Sequence, residues 1–251
     1  MSGWLRPLRE ALDAAPAPVT FFFRDDDAGW DDARLFALLD LFAQRAVPID
    51  LAAIPLDVTR QLAAALLARA ERTQPLAFHQ HGYAHVNHET EGRRCEFGPA
   101  RAAAAQLEDI GAGRRRLAEL FGPALQPIFT PPWNRCTAAT GACLVELGIP
   151  VLSRDRTAEP LELDGLRELP VQVDWFAKRK GRPLGRAAVG EQLGARAGEP
   201  GPLGVMLHHV EMDTEDMTAM AEVLDLVSAH ERARCLSMAA VLEEATLQCA
   251  P

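Results

Sequence analysis

Apolar runs of strand length alternate with helix-patterned segments along nearly the whole chain, and this alternation restricts the fold more than any other feature. Val19-Thr-Phe-Phe-Phe23, Pro48 to Ile54, Pro75 to Phe78, Gln126 to Thr130, Ile149 to Ser153, Leu166 to Val173 and Leu203 to Leu207 read as strands, with Arg234 to Ser237 a short last one. The first is a continuous apolar run, as in a parallel sheet covered on both faces. Helical patterns fill the intervals, at 4–15, 32–45, 57–72, 100–121, 136–147, about 187–196, 213–230 and 238–247. This order belongs to a parallel α/β fold. No Gly-rich phosphate loop follows the first strand, which disfavours an open doubly wound sheet. With 251 residues and 48% hydrophobic content, the chain can bury one sizeable core. The expected architecture is a single-domain distorted (β/α) barrel of about seven strands over residues 1–251.

Polar residues collect just after the strand ends, and in a barrel those ends share the face where active sites are built. Phe23 runs straight into Arg24-Asp25-Asp26-Asp27. Three carboxylates this close ionise together cheaply only around a cation. Asp31 and Asp32 come after Gly29 and suit the cap of the next helix. The stretch Phe78 to His88 holds His79, His81, His85 and His88, four of the seven histidines. One helical turn after the strand would point His81 and His85 the same way, giving two-thirds of a divalent-metal site. Pro131-Pro132-Trp133-Asn134-Arg135 forms a stiff aromatic wall after the next strand. Asp174-Trp175 and His208-His209 close two others. Strand alternation sends His208 and His209 to opposite faces, so one of them alone can face a site.

Bulk properties restrict the partners. Asp and Glu exceed Lys and Arg by nine (35 − 26), which argues against nucleic acid or an anionic membrane surface. Arg114-Arg115-Arg116 reads as a solvated helix face. Five scattered cysteines without C-x-x-C spacing read as reduced thiols of a cytoplasmic protein. The N-terminal stretch is charged, with no apolar signal region and no membrane span.

Taken in order over about residues 19–210, these strand ends resemble the five motifs of the polysaccharide deacetylase superfamily, the NodB-homology or family 4 carbohydrate esterases. Phe23-Arg-Asp-Asp-Asp-Ala-Gly29 resembles its base-and-ligand aspartate motif. His81-Gly-Tyr-Ala-His85 resembles H-S/T-x-x-H, and Thr130-Pro-Pro-Trp133 resembles R-x-P-Y/W. Asp174-Trp175 and Val205-Met-Leu-His208 are similar to the last two. The resemblance implies one divalent ion held by Asp27, His81 and His85, with Zn expected and Co, Ni, Fe or Mn also accepted. It implies Asp26 as the base for a metal-activated water, His208 as the acid for the departing amine, and Asp174 as the group that orients His208 and keeps it protonated. Trp133, Asn134 and Trp175 are the expected substrate contacts. The implied reaction removes an acetyl group from an N-acetylated sugar or glycan precursor. A different C–N amide, such as a ureide or small N-acyl metabolite, or a member that binds metal or glycan without turnover, stays open. The aspartate pair can be 25/26 or 26/27, and the acid His208 or His209. Gly82 stands where the family has Ser or Thr. Thr130 stands where it has an arginine that pairs with the base, a place Arg24 or Arg135 can fill.

Overall fold

The computed structural model describes residues 3–72 and 76–248; Pro75, first residue of the expected third strand, and Cys249 lie outside them. In chain order the elements are α1 (Arg6–Ala14), β1 (Val19–Ala28), α2 (Asp32–Ala43), β2 (Ile49–Ala53), α3 (Arg60–Arg72), β3 (Leu76–His81), α4 (Ala103–Phe121), β4 (Leu125–Thr130), α5 (Ala138–Glu146), β5 (Val151–Leu152), β6 (Arg167–Glu168), β7 (Val173–Asp174), β8 (Lys178–Arg179), β9 (Arg182–Pro183), α6 (Arg186–Ala197), β10 (Leu203–His208), α7 (Thr214–Ala229), β11 (Ala233–Cys235) and α8 (Met238–Gln248). A parallel sheet runs in the order β6-β5-β4-β3-β2-β1-β10-β7, with β11 beside the start of β1.

The run Leu166 to Val173, expected to be one strand, is two. β6 lies at one edge of the sheet and β7 at the other. Only five residue steps separate Glu168 from Val173, at most roughly 18 Å of extended chain. The sheet therefore curls until its edges approach, a half-barrel bridged by this segment. Along the bridge Val171 N donates to Arg154 O beyond β5, and Gln172 N donates to Gly204 O of β10. The Gly-, Arg- and Pro-rich stretch after it holds the hairpin β8–β9 as well as the expected α6. No helix among the described residues is long and apolar enough to cross a membrane.

β1 shows how the sequence assigns its two faces. Phe21 and Phe23 pack outward into the main core with Leu35 and Phe42 of α2. Phe22 points into the barrel with Ile128, Val171, Met206 and Met238. Its ring lies over Gly204, where a Cβ would fall 2.1 Å from Phe22 Cζ, so the neighbouring strand needs glycine at that point. Continuing the same alternation, Arg24 and Asp26 face inward with Phe22, and Asp25 faces outward. On β10, Met206 and His208 face inward, beside Arg24 and Asp26 in the parallel register.

Buried Asp50 on β2 accepts a hydrogen bond from Met238 N (2.9 Å), which anchors the first turn of α8. Burial pushes its pKa up to about 7 from 3.8. Unfolding then releases a proton between those values, so stability falls as pH rises from about 4 to 7 and is flat above. The full span is worth about 4 kcal/mol. Asp50→Asn is expected to lose this slope and to gain stability over wild type at pH 8 but not at pH 4. Urea unfolding of both proteins across that range measures it; parallel curves would place Asp50 among ordinary carboxylates.

Candidate active site

The aspartate run is split three ways by the backbone. Asp25 on the outer face accepts from His209 N (2.9 Å) and pairs with His209 Nδ1 (2.7 Å). His209 Nε2 meets the Trp30 carbonyl at 2.6 Å. Both ring nitrogens face acceptors, so both carry hydrogens. Burial disfavours the charge, but Asp25 overrides it and holds the pKa up at about 9. Asp25 and His209 are thus committed to each other in a buried ion pair, away from the barrel mouth.

Asp26 faces inward and is gripped by Arg24, two residues earlier on the same face. Arg24 Nε donates to Oδ1 at 2.8 Å and Nη2 to Oδ2 at 3.0 Å. The guanidinium also donates to Ser153 Oγ (2.7 Å) and Asn134 Oδ1 (2.8 Å), and the whole group is buried. Burial alone would raise Asp26; Arg24, His81 and His208 outweigh it and hold the carboxyl below its usual range. Arg135 is not part of this network and donates instead to Arg94 O. Of the two arginines that could stand in for the family's third-motif arginine, Arg24 is the one in contact.

Strict alternation would send Asp27 to the outer face. A bulge prevents it: β1 advances three residues from Asp25 to Ala28 while β2 advances two from Leu51 to Ala53, and Asp27 has φ of 68°. The extra residue turns Asp27 back into the mouth, where Oδ1 lies 3.2 Å from both His81 Nε2 and His85 Nε2. Burial raises Asp27, and the bonds to the two imidazoles more than offset that, so its pKa is depressed.

His81 and His85 are not joined by the helical turn expected from their spacing. β3 ends at His81, and the chain reverses through left-handed residues at Gly82 (φ 55°) and His85 (φ 55°). Buried Glu96 holds this turn by accepting from Tyr83 N (3.2 Å) and Ala84 N (2.7 Å). A Cβ on residue 82 would sit 2.2 Å from Glu96 Oε2 and 2.5 Å from Pro132 Cδ, so glycine here is a steric requirement and a carboxylate steadies the loop. The His85 ring stands between Trp30 and Trp133, with centroids 4.7 and 4.6 Å away. His79 is buried against Thr130 Oγ1 (3.0 Å); burial and Arg24 depress its pKa to about 3, so it is neutral. His88 is exposed.

The donor set of Asp27, His81 and His85 fits a metal ion. One ligand atom from each lies within 4.8 Å of the others. His81 Nδ1 is 3.0 Å from the Thr130 carbonyl, which can only accept, so Nδ1 carries the hydrogen. In neutral His81 the Nε2 lone pair then faces the Asp27 carboxylate, two acceptors in contact. A cation between them resolves the clash, and a carbonyl-anchored histidine tautomer is the usual partner of such an ion.

His208 ends β10 on the inner face, with Nε2 4.0 Å from Asp26 Oδ2. Its Nδ1 is buried and makes no hydrogen bond. Asp174, expected to orient it, accepts instead from Phe176 N (2.9 Å), and burial raises its pKa; the contact on His208 is the Phe176 ring. Trp133, Asn134, Asp174, Phe176, Met206 and His208 line a cavity of about 610 Å³. Trp175, expected at the substrate, points the other way. It is 2% exposed in the main core and donates to Asp216, with Arg186 over its ring. Alternation explains this, because Asp174 and Trp175 are neighbours on one extended segment.

No protein-family model matches the chain, and no curated protein matches it by sequence. Solved structures do match by fold. They include a candidate polysaccharide deacetylase from Mycobacterium smegmatis (TM-score 0.69, 17% identity, 95% of this chain and 93% of that one). A family 4 acetyl xylan esterase from Clostridium thermocellum, in complex with a cobalt ion, matches at TM-score 0.60 and 12% identity over 92% and 93%. Peptidoglycan deacetylase PdaC from Bacillus subtilis matches at 0.60 and 10% over 93% and 94%. The chain has the NodB-like barrel fold of the family 4 carbohydrate esterases.

Proposed function

We propose that this protein is a metal-dependent deacetylase that hydrolyses the acetamide of an N-acetylated sugar or glycan precursor. The observation that carries the reading is the placement of Asp26 and His208, paired in register on adjacent strands, beside the Asp27, His81 and His85 donor set. A divalent ion held by that set, zinc above the others, would supply Lewis acidity to the acyl oxygen. Asp26, kept ionised by Arg24, accepts a proton from the attacking water. His208 gives a proton to the amine as the C–N bond breaks, so water is divided between acetate and amine. Trp133 offers a ring face to the sugar and Asn134 a fixed amide, while Asp174 shapes the same wall without a hydrogen bond to His208. The bidentate Arg24–Asp26 pair supports turnover over binding alone, since a pure binder has no use for a buried, charge-locked base. The same constellation would cut another small N-acyl compound of matching shape.

Metal analysis tests this reading. Wild type supplied with Zn²⁺ or Co²⁺ is expected to hold about one equivalent, and Asp27→Ala and His81→Ala to hold none. Acetate release from N-acetylated sugars is followed in the same samples. A wild type that takes up neither ion would end the proposal.

A further inference from the structure

Two cavities meet beside the candidate site. The one containing His208, about 610 Å³, and a second of about 550 Å³ share Arg93, Asn134, Arg135 and Ala158 on their walls. Both volumes suit small molecules. Several arginines of this acidic chain are paired with carboxylates, Arg24 with Asp26, Arg45 with Asp225, Arg154 with Glu168 and Arg234 with Glu244 among them, and others among the described residues, such as Arg94 and Arg232, are not. Among the described residues neither Arg93 nor Arg135 has such a partner, and Arg135 spends one Nη on the Arg94 carbonyl.

Acidic groups do share these walls. Asp155 is occupied by Thr157 N and Oγ1, Asp174 by Phe176 N, and Glu89 by Ala100 N. Glu91, Glu159 and Glu211 pair with neither arginine. Burial and the neighbouring Arg93 charge both push the Arg135 pKa down, so the two guanidinium groups lie near one another. Lys178 adds a third cation to the wall of the larger cavity. Arg135 follows Asn134, whose amide is bonded to Arg24 and through it to Asp26, and both arginines line the same cavity as His208.

We infer that the substrate carries an anionic group, a carboxylate or a phosphate, which docks between Arg93 and Arg135 close to the amide that is cut. This rests on the deacetylase reading and narrows it from neutral glycans to acidic amino-sugar derivatives. Guanidinium groups bind both anions through paired hydrogen bonds.

Calorimetric binding to the zinc-loaded protein tests it, with N-acetylglucosamine, its 1-phosphate, its 6-phosphate and N-acetylmuramic acid as probes. At least one acidic sugar is expected to bind about tenfold or more tighter than the neutral one. The double variant Arg93→Gln/Arg135→Gln is expected to erase that advantage. The phosphate and carboxylate probes tell the two anions apart. Equal binding of the neutral sugar, an advantage that survives in the double variant (binding through the metal instead), or binding of none of the four would overturn the inference. Acetate release is recorded with the same probes. Selective, arginine-dependent binding without acetate would sink the deacetylase reading and leave the anion site standing; release without anion preference would do the reverse.

Discussion

Asp26→Asn is expected to lower acetate release by about a thousandfold while the fold and the metal content persist. The replacement has the same shape, and its amide oxygen still accepts from Arg24, but it cannot take a proton from water. Asp25→Asn, one residue away, is expected to behave oppositely. It removes the partner of a buried His209 that meets Asp25 and the Trp30 carbonyl at once, so it costs stability and spares turnover by the molecules that stay folded. Turnover per folded molecule, with metal content and urea midpoints for both variants, separates the two. An active Asp26→Asn protein beside an inactive Asp25→Asn one would mean that the base had been assigned to the wrong carboxylate.

Arg24→Met is expected to cost about 3–5 kcal/mol, because it strips a buried carboxylate of the counter-charge hydrogen-bonded to it. The guanidinium reaches Asp26, Ser153 and Asn134 together, so three elements lose a common tie. Adding Asp26→Leu to the same protein should recover much of the loss by removing the stranded charge. Urea denaturation of the two singles and the double gives the coupling directly. A penalty below about 1 kcal/mol for Arg24→Met would imply that Asp26 is not ionised in the native protein.

How much of this was legible from sequence depends on the range of the interaction. Alternation along β1 and β10 is local, and it places Asp26 and His208 on one face and Asp25 and His209 on the other. The same rule, applied to Asp174-Trp175, would have put Trp175 in the core; the resemblance of the pair to a site motif drew it to the substrate instead. The roles of Glu96 and Ser153 were hidden, because each meets its partners across long stretches of chain: Glu96 holds the turn after His81 from 12 or 13 residues away, and Ser153 meets Arg24 across 129. Spacing located His81 and His85 without showing how they converge, since two left-handed residues do what a helical turn was expected to do. Arg114-Arg115-Arg116 is less purely solvated than its composition implied, with Arg116 donating to Pro55 O and Val58 O in the loop after β2. The split of Leu166 to Val173 follows from barrel closure, which no local pattern records.

The place of β1 at the centre of the sheet sets an order on synthesis. Its partners are β2, made soon after it, and β10 and β11, made near the end. Val205, the register partner of Phe23, follows it by 182 positions (205 − 23). At ordinary elongation rates that is a wait of roughly 10–40 s with one flank of a phenylalanine-rich strand open to misassociation. Asp27, His81 and His85, the candidate metal ligands, all lie within the first 85 of 251 residues, so that group can assemble on the nascent polypeptide. His208, the proposed acid, is translated last of these groups, and it arrives on the strand that covers β1.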